Sequence, residues 1–331
     1  MKHLLLGFSL FTATAVFSQT AHETAYSFMR TGDHDNAILV LNKAIQTDPQ
    51  NEQIIQDLAL AYYYKKDFGQ AKVYVKKLTE RDDIDVTSYQ IAGTVYRALE
   101  EIKEADKIYK KALKKFPANG ILYSDYGEML WSKNDDNAIK QWEKGIEMAP
   151  SYPGNYYHAA TYYHYTKDKV WSLIYGEIFV NMEYLTERAT EVKKLLLNAY
   201  KEKLFLGKDN EVKKNSAFAN AVYETFGKQE SLTGKGLTVE TLTMIRTKFI
   251  LDWFGKYGDK YPFRLFDYQR QLIREGMFEA YNQWLFGPVD NLASFDQWTK
   301  TNADGYKKFV NFQRNRVFKM PAGQFYGVKE I

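Results

Sequence analysis

The chain has 331 residues, with 45 Lys and Arg against 41 Asp and Glu, a formal net charge of +4. So even a balance does not describe a generic polyanion binder, and no nucleic-acid partner is expected. Cysteine is absent, which excludes disulfides, thiolate metal sites, thiol nucleophiles and a lipid anchor on an N-terminal Cys.

Residues 1–18 read as a separate unit. Lys2 and His3 precede an apolar run from Leu4 to Phe17, and Val16-Phe17-Ser18 places small residues for cleavage before Gln19. This is the layout of a secretory signal peptide. The run is shorter than the ~20 apolar residues that span a bilayer, so an uncleaved anchor helix is the weaker reading. No later segment is long and apolar enough to be transmembrane. The expected location is periplasmic or secreted.

A repeat follows. Small residues stand at Ala25, Ala59, Gly93, Gly127 and Ala160, spaced 34, 34, 34 and 33. Three places after each is a large apolar residue: Phe28, Tyr62, Tyr96, Leu130 and Tyr163. A second small series runs Ala37, Ala71, Ala105, Ala138 and Ser172, and Pro49, Pro117 and Pro150 close three of the units. The one-residue deletion falls in "EMLWSKNDDN", between Gly127 and Ala138. Because loops absorb length changes and helices resist them, the turn between the helices of the fourth unit is expected to be one residue short.

This pattern resembles the tetratricopeptide repeat (TPR), a helix-turn-helix unit of 34 residues. The third unit, "VTSYQIAGTVYRALEEIKEADKIYKKALKKFPAN", carries Tyr89, Ala92, Gly93, Tyr96, Ala105, Tyr109, Ala112 and Pro117 at the family's positions. The resemblance covers about residues 19–186. In the fifth unit Ser172, Gly176, Phe179 and Tyr184 depart from it. It implies an all-α fold: a TPR superhelix of about five repeats, followed by an α-helical, aromatic-rich C-terminal domain over 187–331 that would cap the array. One repeat cannot bury its apolar stripe alone, whereas stacked repeats bury a continuous core and leave a concave groove.

The resemblance also implies that the first helix of each unit lines the groove. Carried onto this chain, the groove positions are His22, Tyr26, Met29 and Arg30, then Gln56, Leu60, Tyr63 and Tyr64, then Gln90, Thr94 and Arg97. Unit four adds Ser124, Glu128 and Trp131, and unit five adds Tyr157, Thr161, His164 and Tyr165. Of these, Tyr26, Tyr63, Tyr64, Arg97, Trp131, Tyr157, His164 and Tyr165 are the expected partner-binding residues. Lys and Asn, with which co-chaperone members clamp a peptide carboxylate, are missing from these places. A wall of tyrosines and a tryptophan suits an extended protein or peptide partner. Alternatively, these side chains pad a curved surface.

Residues 187–331 abandon the period. They hold 24 Lys and Arg against 17 Asp and Glu, leaving 21 against 24 in the rest of the chain. "ERATEVKKLLLNAYKEKLFL" reads as an amphipathic helix, and Ser216 as an N-cap. In "RLFDYQRQLIREGMFEAYNQWLFG", Ile273, Met277, Tyr281 and Trp284 fall on one helical stripe. Arg270 and Arg274 lie one turn apart, as a solvated face or an anion site. Asp290, Asn291 and Ser294 offer caps to two further helices that break near Asn302. Arg314, Arg316 and Lys319 interleave with Phe312 and Phe318.

No His-Glu-x-x-His or Gly-x-Ser-x-Gly stretch occurs, and "GKG" lacks phosphate-loop spacing. "DHDN" and "NDDN" sit in repeat turns, where Asp caps the next helix rather than holding a cation. His158 and His164 are six residues apart, about 600° of helix rotation, and so cannot share a metal. In that same helix Tyr156, Ala159, Ala160 and Tyr163 form the packing stripe. His164 is expected to be exposed enough to respond to pH. Neither cofactor nor metal is expected. The reading is a non-catalytic protein-interaction scaffold of the bacterial envelope; the alternative is a glycan-binding protein or enzyme with its site in the C-terminal helices. Expressed with its leader in a Gram-negative host, the protein is expected to begin at Gln19 by intact-mass spectrometry. Retention of residues 1–18 would contradict the leader assignment.

Overall fold

The computed structural model describes residues 20–166, 168–201 and 216–327. The expected signal peptide lies outside them, as does the end of the "ERATEVKKLLLNAYKEKLFL" stretch beyond Lys201. Every regular element among the described residues is helical, in line with the all-α expectation. The chain divides into two compact units, Met1–Pro117 and Ala118–Ile331.

The first unit holds three helix pairs: α1 (residues 20–30) with α2 (His34–Thr47), α3 (Glu52–Tyr64) with α4 (Phe68–Thr79), and α5 (Val86–Ala98) with α6 (Ile102–Lys115). Each turn inside a pair is built the same way. A residue in the left-handed region ends the first helix: Gly32, Lys66 or Glu100. The next backbone N–H returns to a carbonyl five residues back, Asp33 to Phe28, Asp67 to Tyr62 and Glu101 to Tyr96, each at 2.9 Å. This satisfies a carbonyl orphaned at the helix end. Asp33 and Asp67 then cap the second helix by accepting from Asn36 and Gln70. In "DHDN" the first Asp is therefore a cap.

Small residues set how closely the two helices of a pair approach. A Cβ added to Gly93 would sit 2.4 Å from Cζ of the buried Tyr109. Alanines 25, 37, 44 and 61 serve the same end in the core around Leu41, Ile54 and Leu58.

The second unit begins with two more repeat pairs: α7 (Gly120–Trp131) with α8 (Asn137–Met148), and α9 (Pro153–His164) with α10 (Lys169–Met182). The expected short turn before α8 is not found. Asn134 is left-handed, 34 residues after Glu100, and Asp135 N–H reaches Leu130 as its counterparts do. The missing residue lies instead in the first turn of α8. Ala138 N–H bonds to the carbonyl three residues back, at Asp135, where Ala37, Ala71 and Ala105 reach back four. The turn is held by three backbone hydrogen bonds and a left-handed residue. The first helical turn has spare donors and can tighten into a 3₁₀ form at small cost.

After the repeats come α11 (Glu187–Lys201), α12 (Ala217–Gly227), a 3₁₀ turn (Glu230–Lys235), α13 (Val239–Lys256), α14 (Arg264–Arg274), α15 (Phe278–Asp290), α16 (Leu292–Thr301) and α17 (Ala303–Arg314). One hydrophobic core runs from Ala138 to Met320, so these helices share it with α8, α9 and α10. The fifth unit departs from the repeat pattern for that reason. Helix α10 is buried from Val170 to Asn181 because its second face meets the C-terminal helices. Ser172 there donates to the Ala160 carbonyl at 3.0 Å. Gly176 admits Leu196 and Val192 of α11, which a Cβ would meet at 2.9 and 3.1 Å.

The single stripe Ile273–Trp284 is two helices. Gly276 is left-handed and separates α14 from α15, while Met277, Tyr281 and Trp284 stay buried. Arg270 is met by the Asp267 carboxylate at 2.8 Å and lies over Phe254, while Arg274 is exposed to solvent. Inside α15, Pro288 has no N–H to give the Trp284 carbonyl four residues back. The buried Lys193 ammonium donates to that carbonyl instead, at 2.9 Å, over the Trp284 ring. Burial lowers the Lys193 pKa to about 8.

The repeat turns on glycine at the helix crossings. A Cβ at Gly127 would stand 2.2 Å from Trp142 Nε1. Gly127→Ala is expected to lower the unfolding free energy in urea by about 1–3 kcal/mol through overpacking. The control is Gly69→Ala, where only Asp67 Oδ1 lies near, at 3.7 Å; it is expected to gain up to about 1 kcal/mol from helix propensity. Equal stability of Gly127→Ala and the parent would refute the packing argument.

Candidate functional site

The eight groove residues divide between the two units and are taken unit by unit. In the first unit Tyr26 on α1 is 55% exposed and Tyr64 on α3 is 51% exposed. Tyr63 and Tyr64 meet edge to face, with centroids 5.5 Å apart, and Tyr64 also stacks on His34 at the start of α2. Arg97 on α5 is half-buried. Not every groove position stays open. Gln56 is buried and donates to Asp85 at 3.0 Å and Ser88 at 2.8 Å, joining α3 to α5. His22 meets the buried Asp57 at 2.7 Å. Burial raises the Asp57 pKa, against the opposing pull of His22 and Gln53.

In the second unit, α7 and α9 bring together a denser cluster. Trp131 is 42% exposed and meets Tyr162 edge to face at 5.3 Å. Behind them the buried Trp142 stacks on His158 at 5.1 Å. His158 Nε2 stands 3.3 Å from the Glu128 carboxylate. The Tyr162 hydroxyl donates to Asp136 at 3.4 Å. His158 and Tyr162 were not among the groove positions, because the family places groove residues two, five, nine, twelve and thirteen places into the unit. The contact that reveals His158 crosses between repeats, from the ninth place of one to the sixth of the next.

The other unit-five residues behave differently from one another. Tyr157 is half-buried: its hydroxyl donates to Glu191 at 3.2 Å, and the Arg188 guanidinium lies 5.0 Å over its ring. Helix α11 therefore covers that position. His164 is half-buried, with its Nδ1 enclosed, and its backbone carbonyl accepts from the Lys169 ammonium. Tyr165 projects fully, at 77% exposure. The predicted packing stripe of the same helix, Tyr156, Ala159, Ala160 and Tyr163, is buried.

Family models described as tetratricopeptide repeat match residues 28–91 and 86–119. Residues 28–119 are thus tetratricopeptide repeats. Curated relatives of the chain include BBSome complex member BBS4 of Bos taurus, 29% identical over 112 residues, covering 32% of this chain and 21% of that one. Another is interferon-induced protein with tetratricopeptide repeats 2 of Cricetulus griseus, 27% identical over 150 residues, covering 37% and 31%. This chain thus spans between a fifth and a third of the length of these relatives. Among solved structures, pilF of Pseudomonas aeruginosa aligns at a TM-score of 0.49 and 14% identity, over 58% of this chain and 87% of that one. The thermophilic TPR protein TTC0263 of Thermus thermophilus aligns at 0.45 and 16%, over 54% and 98%.

One ionisable group sits beneath the α7–α9 surface. Glu143 on α8 is buried and accepts from the hydroxyls of Tyr163 at 2.9 Å and Tyr175 at 3.1 Å. Burial pushes its pKa up to about 7, with the two hydroxyls opposing and Asp168 reinforcing. A carboxyl raised in the folded state binds its proton more tightly there than when unfolded. Stability is therefore greatest below the unfolded pKa and falls as pH rises through about 7. The cost of ionising it in place is on the order of 3 kcal/mol. Glu143→Gln keeps an acceptor for both tyrosines. Relative to the parent, it is expected to gain about 3 kcal/mol of stability between pH 4.5 and pH 8 in urea titrations. A difference independent of pH would show that Glu143 stays ionised.

Proposed function

We propose that the protein is a non-catalytic scaffold of the cell envelope that holds a protein partner through exposed aromatic side chains on the first helices of its repeats. TPR arrays serve as protein-interaction scaffolds, and among the described residues no helix is long and apolar enough to cross a membrane. One observation carries the finer reading. On the first helices large aromatic side chains stay in water, Tyr26, Tyr64, Trp131 and Tyr165, while their packing-stripe neighbours such as Tyr89 and Tyr156 are buried. In each unit these exposed aromatics belong to the first helices of the pairs, and exposed aromatic surface marks interaction rather than core. Tyr and Trp lose little conformational entropy on binding and dominate interface energetics.

The Trp131–Tyr162 pair is the strongest anchor, since Trp142 and His158 behind it hold it rigid. Export follows from the leader assigned to residues 1–18. The test is site-specific photo-crosslinking in the native cell, with a benzophenone side chain at Trp131, Tyr165 or, on second helices, Lys114 and Lys144. Discrete adducts to one protein from the first two positions and none from the second two are expected. Trp131→Ala with Tyr162→Ala should then remove the adduct formed at Tyr165, with the circular dichroism spectrum unchanged. Equal labelling from all four positions would defeat the proposal.

A further inference from the structure

A recess between α10, α14 and the segment after α17 is lined by hydrogen-bond donors. Its walls are Asn181, Arg264, Tyr268, Gln313, Arg316, Val317 and Phe318. Its volume is about 20 Å³, room for one or two oxygen atoms. Gln313 is 7% exposed, and its Nε2 finds no hydrogen-bond partner among the described residues. A buried amide donor left without an acceptor costs about 1–3 kcal/mol, so its persistence calls for an explanation.

The two guanidiniums are held by rings rather than by carboxylates. Arg264 lies 5.8 Å over Tyr268 and 5.5 Å over Phe318, and Arg316 lies 4.2 Å over Phe312. No ion pair to either is formed among the described residues. Ring faces orient a guanidinium and leave its N–H edge free. Tyr268 is buried, and burial raises its phenol pKa, so it stands as a donor; both arginines bear on it electrostatically. Glu177, the carboxylate that bears on Tyr268, is already engaged by Arg246, Gln269 and Tyr281. The Asn181 amide nitrogen is spent on the Glu177 backbone carbonyl at 2.8 Å and the Tyr281 hydroxyl at 2.7 Å. Two cations and a buried unpartnered amide therefore converge with no anion among them.

We propose that this recess is a binding site for an oxyanion: the carboxylate or phosphate end of a ligand whose body lies outside. Arg264 and Arg316 would supply charge, and Gln313 Nε2 the inner hydrogen bond. The small volume admits the oxygens of such a group and excludes a larger head. Lys is a point charge, whereas a planar guanidinium fork suits the two-oxygen edge of a carboxylate or phosphate.

The test uses the whole mature chain, with inorganic phosphate and acetate as separate probes, titrated against sodium chloride at equal ionic strength. Arginine Nε–Hε and glutamine side-chain amide resonances are followed by NMR. A saturable shift of the Gln313 amide with phosphate, acetate or both, absent with chloride, is expected. Phosphate alone would assign the ligand end as phosphate, and acetate alone as carboxylate. Arg316→Gln, an exposed residue that leaves the core untouched, should weaken binding roughly tenfold or more. Arg264→Gln with Arg316→Gln should abolish it, with Arg316→Lys intermediate. No saturation beyond the chloride effect, or binding by the double variant equal to the parent's, would overturn the proposal.

Discussion

The second unit depends on a buried ion pair between Glu177 of α10 and Arg246 of α13, 69 residues apart in the chain. Neither side chain is more than a few per cent exposed. Burial opposes the charge on Arg246, but the Glu177 carboxylate beside it holds the guanidinium protonated. Gln269 of α14 donates to the same carboxylate oxygen at 2.6 Å and Tyr281 of α15 at 2.7 Å, while Arg246 also reaches Asn282. Four helices meet at one carboxylate. Losing either charge would strand the other in a dry interior, a cost of about 3–5 kcal/mol. The same chemistry could be replaced by well-packed apolar groups without loss, so the pair is better understood as a register pin than as a source of net stability.

That pin explains how a repeat array ends. A terminal repeat has an uncovered face, and this one is closed by helices outside the repeat. Once α10 must serve two neighbours, its repeat signature is no longer required: Gly176 admits α11, while Ser172 bonds back to α9. Tyr157 shows the same transition at the surface, where its ring belongs to Arg188 and Glu191 of α11. Trp131, one repeat earlier, still faces outward beside Tyr162.

Local exceptions in the second unit are settled by long-range partners. Pro288 removes a helix hydrogen bond, and Lys193, 95 residues earlier by sequence number, occupies the freed carbonyl. Gly127 gives up helix propensity so that Trp142 can cross close by. In each case a residue that looks unfavourable in its own helix is accommodated in the packed unit, where tertiary contacts offset propensity costs of about 1 kcal/mol for Gly and about 3 kcal/mol for Pro.

By itself the sequence determined the helix pairs, their order and their packing stripe, because these rest on interactions that recur within about one repeat. A small residue at a crossing and a polar cap need only neighbours a few residues away, and the 34-residue period repeats the small residue five times over. The stripe of α9 was legible on that basis, as were the exposed Tyr64, Trp131 and Tyr165. Only the tertiary structure decided where the deletion sits, since a helix start proved easier to tighten than a turn held by three backbone bonds. It also decided that Gly276 splits an apparently continuous stripe, that His158 faces Glu128, and that α10 shares its core with residues up to Met320. The last two depend on side chains brought together once, across 30 residues or more, by packing that leaves no periodic trace.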